Sequence, residues 1–134
     1  MATSGPVSAT ILTRSGLAAA VRAAARRAQV PTEVTEAPEE RFPPGLEAAA
    51  YYVVSEALAN AGKHASATHA RVSIRRSGGV LRVQVADDGV GGADPAGSGL
   101  TGLADRVAAL GGTLIVTSPP GAGTTITAEL PCGP

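Results

Sequence analysis

Apolar positions along the chain fall into stretches with two different periods. Leu17, Val21, Ala24, Ala25 and Ala28 recur at three- and four-residue spacings, which predicts a helix from Gly16 to about Gln29, capped by Ser15 and stopped by Pro31. A second helix is expected from near Leu46 to His64 or Ala65, with Pro43 and Pro44 before it and Glu47 in its first turn, where the helix dipole favours an acid. A third runs from about Leu100 to Leu110 on the stripe Leu100, Leu103, Val107 and Leu110, and Gly111 and Gly112 suit a left-handed C-terminal cap. Elsewhere the period is two. Val72 and Ile74 alternate with polar residues in Arg71–Arg75, and Leu81, Val83 and Val85 do so in Val80–Ala86. With Ser77, Gly78 and Gly79 between them, these segments predict a β-hairpin. Thr32–Thr35, Thr113–Thr117 and Thr124–Leu130 read as further strands.

The remainder separates these elements. Met1 to about Thr13 reads as a tail, Ala37–Pro44 and Asp87–Gly99 as loops, and Pro119–Gly123 as a turn. The expected order is helix, short strand, helix, two strands, loop, helix, two strands. That order predicts an α+β fold, a two-layer sandwich with helices packed on one face of a mixed, mostly antiparallel sheet. One domain over residues 14–131 is expected, with residues 132–134 as a short C-terminal tail.

Composition narrows the classes of function. The 134 residues suit a single domain, and 44% are hydrophobic but only 2% aromatic, so the core must be built from Ala, Val, Leu and Ile. The formal net charge is zero, no basic stripe is present and stacking aromatics are nearly absent, which argues against nucleic acid as a partner. Arg22, Arg26 and Arg27 read as a solvated helix face. The single cysteine, Cys132, allows no internal disulfide and fits a cytoplasmic setting. No apolar run approaches the ~20 residues of a membrane span, so no direct membrane contact is expected. The first helix has no acid before Glu33 and loosely resembles a transit peptide, but its apolar pattern continues into a structured segment.

Four segments carry candidate chemistry. At 100° per residue, Glu56, Asn60, Lys63 and His64 fall within about 100° on one face of the second helix, opposite Val54, Leu58, Ala61 and Ala65. An ordinary surface helix has the same pattern. The residue types are nevertheless pointed: an amide oxygen and waters hold Mg²⁺, Lys is a compact phosphate-binding cation, and Glu one turn earlier suits a general base. The second segment is Asp87-Asp88-Gly89-Val90-Gly91-Gly92, at the end of a strand. Alone it is a turn, yet a carboxylate there, with glycines allowing close approach, suits an exocyclic amine such as that of adenine. The third, Gly97-Ser98-Gly99-Leu100-Thr101-Gly102, opens a helix whose free N–H groups and dipole suit phosphate. It lacks the spacing of a dinucleotide-binding or Walker loop. The fourth, Gly121-Ala122-Gly123-Thr124-Thr125, reads alone as a tight hairpin turn.

In this order and spacing the four segments resemble the GHKL ATPase superfamily of histidine kinases, type II topoisomerases, a heat-shock chaperone and mismatch-repair ATPases. Glu56-Ala-Leu-Ala-Asn60-Ala-Gly-Lys63-His64-Ala65 looks like its N box, and Asp87–Gly91 like its Asp-x-Gly-x-Gly box. Gly97–Gly102 and Gly121–Thr125 look like its two later glycine boxes. The run Gly99–Gly112 is similar to sensor histidine kinases paired with helix-turn-helix response regulators. The resemblance covers about Leu17 to Pro131 and implies a Bergerat-type sandwich binding ATP and Mg²⁺. Carried over, Asn60 would coordinate the metal, with Lys63 and His64 near the phosphates. Asp87 would bind the adenine amino group, with Thr124 supporting adenine through water. Gly89, Gly91, Gly97, Gly99, Leu100 and Gly102 would shape pocket and lid, and Glu56 matches the catalytic acid of hydrolysing relatives.

One departure bears on activity. Neither His64 nor His69 sits on a long N-terminal helix followed by an acid, so the phosphoacceptor histidine is expected on a dimerisation domain outside this sequence. Such a fragment is expected to be a monomer that binds ATP or ADP without phosphorylating itself, its parent acting on a response regulator. The lid from Ala93 to Ala96 is also very short. The alternatives are an anti-sigma-factor serine kinase, and a GHKL-type ATPase or nucleotide-binding module.

Overall fold

The computed structural model describes residues 4–63, 66–93 and 97–133. The elements are α1 (Ser4–Ser15), α2 (Leu17–Arg27), β1 (Thr32–Glu36), α3 (Pro44–Lys63), β2 (Ala70–Ser77), β3 (Val80–Asp87), α4 (Ser98–Ala109), β4 (Thr113–Thr117) and β5 (Thr124–Pro131). The strands form one sheet in the order β1-β2-β3-β5-β4. β1 lies parallel to β2, with α3 as the crossover, and every other pair is antiparallel. This is the α+β sandwich that the apolar pattern predicts.

Side-chain alternation turns one face of the sheet inward. Val72, Ile74, Leu81, Val83, Ile126, Ala128 and Leu130 are buried there, under α3 and α4. Among the aromatics, Phe42 alone joins the buried set, while Tyr51 and Tyr52 pack at its margin. The other face of the sheet is mostly polar, with Val80 and Ile115 exposed on it. On it Arg71 and Arg75 reach Glu33 and Glu36 of β1, at 3.9 and 3.1 Å.

Local chemistry explains the helices. α2 is mostly alanine, the strongest helix former, and ends on Arg26 and Arg27, which suit its negative dipole end. α3 begins on Pro44, whose missing N–H costs nothing in a first turn. Glu47, 2% exposed, accepts from Phe42 N at 3.1 Å and holds the Arg41 guanidinium through both its oxygens. α4 closes as the glycine pair predicts: Gly111 adopts φ +78°, its N–H reaches Ala108 O, and Gly112 N reaches Val107 O, both at 2.9 Å.

Two expectations at the N-terminus are corrected. Residues 4–13, expected as part of a tail, belong to the helix α1. Its sequence is poor in helix formers, and Pro6 is tolerated only because it lies in the first turn. What holds α1 is tertiary: Leu12 packs against the core, and Arg41 donates to the Leu12 and Thr13 carbonyls at 3.4 and 3.1 Å. Ser15 is therefore the last residue of α1 and not the cap of α2. The cap position belongs to Gly16, at φ +92°, where a β-carbon would lie 2.9 Å from Arg41 Cδ.

Candidate functional site

α3 presents Glu56 and Asn60 half-buried and Lys63 exposed, while Val54, Leu58 and Ala61 face the core. The polar and apolar faces of this helix are those expected from its sequence. α4 packs along it in the opposite direction. Near the C-terminal end of α4 the Arg106 guanidinium lies 4.0 Å from the Tyr52 ring centre. At its start, a β-carbon on Gly99 would sit 3.2 Å from Glu56 Oε2. The first turn of α4 is thereby set beside Glu56, one helical turn before Asn60. Its cap residue Gly97 is extended, at φ −65° and ψ 154°, and makes no side-chain cap. The helix therefore opens beside an acid, with Asn60 one turn further along α3, and its N-terminal N–H groups are uncapped by the Gly97 position. Leu100 is buried and anchors this turn, and no atom lies near a β-carbon placed on Gly102.

Asp87 ends β3, directly opposite Thr124 of β5. Its Oδ1 accepts from Gly89 N at 2.8 Å, which fixes the carboxylate within the turn. Close backbone approach explains two glycines here. A β-carbon on Gly123 would overlap the Asp87 carbonyl, and one on Gly91 would overlap the Pro119 carbonyl. Both residues have positive φ, +77° and +68°.

The fourth glycine segment is thus the surface on which the second one rests. Gly92 N donates to Ser118 O at 2.7 Å and Gly121 N to Val90 O at 2.6 Å. Ser118, a residue the sequence reading passed over, is the centre of this clasp. Its hydroxyl pairs with the buried Thr124 hydroxyl at 2.6 Å and accepts from Ala93 N at 2.9 Å.

Asp88 has a role that its place in a turn does not reveal. It accepts from Thr68 N at 2.8 Å, Thr68 Oγ1 at 2.6 Å and His69 N at 2.9 Å, joining the segment after α3 to the end of β3. The Thr68 hydroxyl and the two backbone N–H groups hold the Asp88 carboxyl well below the usual carboxylate range. Only the pairing of Ala70 with Asp87 makes this contact foreseeable, and that register is a tertiary fact.

The structure sets Gly99 beside Glu56 at the α3–α4 seam, with Asn60 one helical turn further along α3, and it brings Asp87, Gly89, Gly91 and Thr124 together at the strand ends. Lys63 lines a cleft of about 260 Å³ between α2 and α3, with Arg27, Tyr51 and Leu58. Asp87 borders a second cleft of about 580 Å³ with Pro31, Thr32, His69 and Asp88. Neither is lined by Glu56 or Asn60. His64 and the lid residues Asp94, Pro95 and Ala96 lie outside the described residues. Among the described residues no helix is long and apolar enough to cross a membrane.

The histidine-protein kinase/phosphatase DegS of Brevibacillus brevis is 40% identical over 96 residues, covering 69% of this chain and 25% of that protein. The oxygen sensor histidine kinase NreB of Staphylococcus carnosus is 37% identical over 97 residues, covering 69% of this chain and 28% of that protein. The chain thus spans about a quarter of the length of these relatives. Among solved structures, the histidine kinase domain of the Erythrobacter litoralis EL346 blue-light activated kinase is similar with a TM-score of 0.67 and 27% identity, over 87% of this chain and 59% of that one. The ATP binding domain of PrrB from Mycobacterium tuberculosis shares the fold, with a TM-score of 0.65 at 24% identity, over 90% of this chain and 94% of that one. Residues 45–134 match the family described as histidine kinase-, DNA gyrase B-, and HSP90-like ATPase, and they hold the Asn60 helix, the Asp87 turn and both later glycine segments. The chain belongs to this ATPase family, as the ATP-binding catalytic domain found in sensor histidine kinases.

Proposed function

We propose that this domain binds ATP with Mg²⁺ and donates the γ-phosphoryl group to a histidine on a dimerisation domain of its parent kinase. From there the group would pass to a response regulator. The observation that carries the reading is the meeting of α3 and α4, which puts an N-terminal helix turn beside Glu56 and one turn from Asn60. Such a turn favours anionic oxygen, and the acid beside it and the amide one helical turn on are hard oxygen donors of the kind Mg²⁺ takes. The donor set therefore fits the metal. When bound, it would neutralise charge on the phosphates.

The roles of individual residues are carried over from the family resemblance. Asn60 would hold the metal, and Glu56 would orient a water or a proton acceptor beside it. Lys63, the last residue of α3, and His64 would lie toward the phosphates. Asp87 would accept from the adenine amino group with the oxygen that Gly89 leaves available, and Thr124, held by Ser118, would support adenine through water. Gly89, Gly91, Gly97, Gly99, Leu100 and Gly102 would shape the pocket and lid. Phosphoryl transfer needs little covalent help from protein, so positioning and electrostatics suffice.

The test is transfer in trans. The chain is mixed with γ-labelled ATP, Mg²⁺ and a separately purified dimerisation domain carrying the histidine of the same parent protein. Acid-labile label on that histidine is expected, with none on the chain alone. Label on a serine, or steady phosphate release without the partner, would overturn the kinase reading in favour of a serine kinase or an ATPase.

A further inference from the structure

The two edges of the sheet are built differently. β1, at one edge, carries Glu33 and Glu36, each paired with an arginine of β2. Charges of this kind keep an edge from accepting a foreign strand. β4, at the other edge, is Thr-Leu-Ile-Val-Thr, with no charge, no proline and no bulge in its pairing with β5. Among the described residues its backbone pairs only with β5, which leaves the outward N–H and C=O groups of the strand open. Both sides of this edge also show apolar surface: Ile115 is 48% exposed on the polar face of the sheet, and Leu110, at the end of α4, is 39% exposed.

The sequence of β4 reads nearly the same in both directions. If a second β4 lies antiparallel across a two-fold axis through Ile115, Thr113 faces Thr117, Leu114 faces Val116 and Ile115 faces its own copy. Every pair then matches in polarity and side of the sheet, as a self-complementary two-fold interface requires. A foreign strand meets no such constraint, so the pattern singles out a second copy of this chain as the occupant. We infer that β4 is a homotypic docking edge, through which two catalytic domains join their sheets into one of ten strands. A five-residue strand pair with three apolar side chains per copy buries less than the ~1,200 Å² of a stable interface. The association is therefore weak in free solution and becomes appreciable where two copies are tethered.

Sedimentation equilibrium of the purified chain from micromolar to millimolar concentration tests this. The weight-average mass is expected to rise from 13.2 kDa toward that of a dimer. Ile115→Lys, which sets two like charges against each other at the axis, is expected to stay monomeric throughout. Val80→Lys adds the same charge at another exposed apolar site and is expected to associate as wild type does. In a Cys132→Ser background, Ile115→Cys is expected to give a disulfide-linked dimer on mild oxidation. A wild-type chain that remains at 13.2 kDa at millimolar concentration would overturn the inference. So would an Ile115→Lys variant that associates normally, a Val80→Lys variant that fails to associate, or an Ile115→Cys variant that does not cross-link.

Discussion

Gly123 lies directly against the Asp87 carbonyl, close enough that a β-carbon on the glycine would overlap it. The hairpin between β4 and β5 is therefore a fixed floor under the turn that carries the Asp87 carboxylate. Gly123→Ala must either push that turn away or leave a left-handed conformation that alanine adopts poorly, a strain of roughly 1–3 kcal/mol before the overlap is counted. A lower urea midpoint and weaker nucleotide binding are both expected. Gly121→Ala, a residue of the same turn with positive φ and open space around its β-carbon, is expected to lose stability while nucleotide affinity changes much less. Equal loss of affinity in the two variants would remove the floor from the explanation.

Asp88 makes acid stability a readout of the contact between the end of β3 and the segment after α3. Its folded carboxyl is held below the ordinary value of 3.8 by Thr68 and His69. A group lowered in this way contributes stability that is present above its unfolded value and is lost as pH falls toward the folded one. The stability difference between wild type and Asp88→Ala is therefore expected to be constant from neutral pH to about pH 5 and to shrink below pH 4. Urea midpoints measured across this range check it, and a difference that persists unchanged at pH 2.5 would contradict it.

Glu47 is expected to matter for stability and not for nucleotide. It is buried in the first turn of α3, where it accepts from Phe42 N and from Arg41. Glu47→Ala leaves a buried donor without its acceptor, at a cost of roughly 1–3 kcal/mol. It also frees the arginine that binds the α1 carbonyls. Hydrogen exchange is expected to rise in α1 and at the start of α3, with ATP affinity of the folded protein unchanged. Exchange that rises equally at Asn60 would show that the two ends of α3 are not independent.

Much of this was readable from the residues. Period and punctuation placed all five strands and three of the four helices, because Ala70–Ser77 and its neighbours keep one buried face and because Gly111 and Pro44 mark helix ends by local chemistry alone. α1 was unreadable for the opposite reason: its sequence has weak intrinsic preference, and its helix is held by Arg41, a residue of a distant loop. The residues proposed to hold nucleotide stood out as spacing, since glycines and a single Asn are conspicuous along the chain. Ser118 and the Asp88 contact were not visible, because a serine before two prolines and the second acid of an Asp-Asp pair look ordinary until the sheet register brings their partners to them.

The α3–α4 seam and the Asp87 turn must serve one nucleotide if the proposal holds. Calorimetric titration of ATP·Mg²⁺ into wild type and Asp87→Asn, with unfolding curves to show that both are folded, tests this most directly. The account predicts saturable one-to-one binding by wild type and a loss of affinity beyond about a hundredfold in the variant, the scale expected when a polar recognition group loses its match to the ligand. Equal affinity in two equally stable proteins would contradict it.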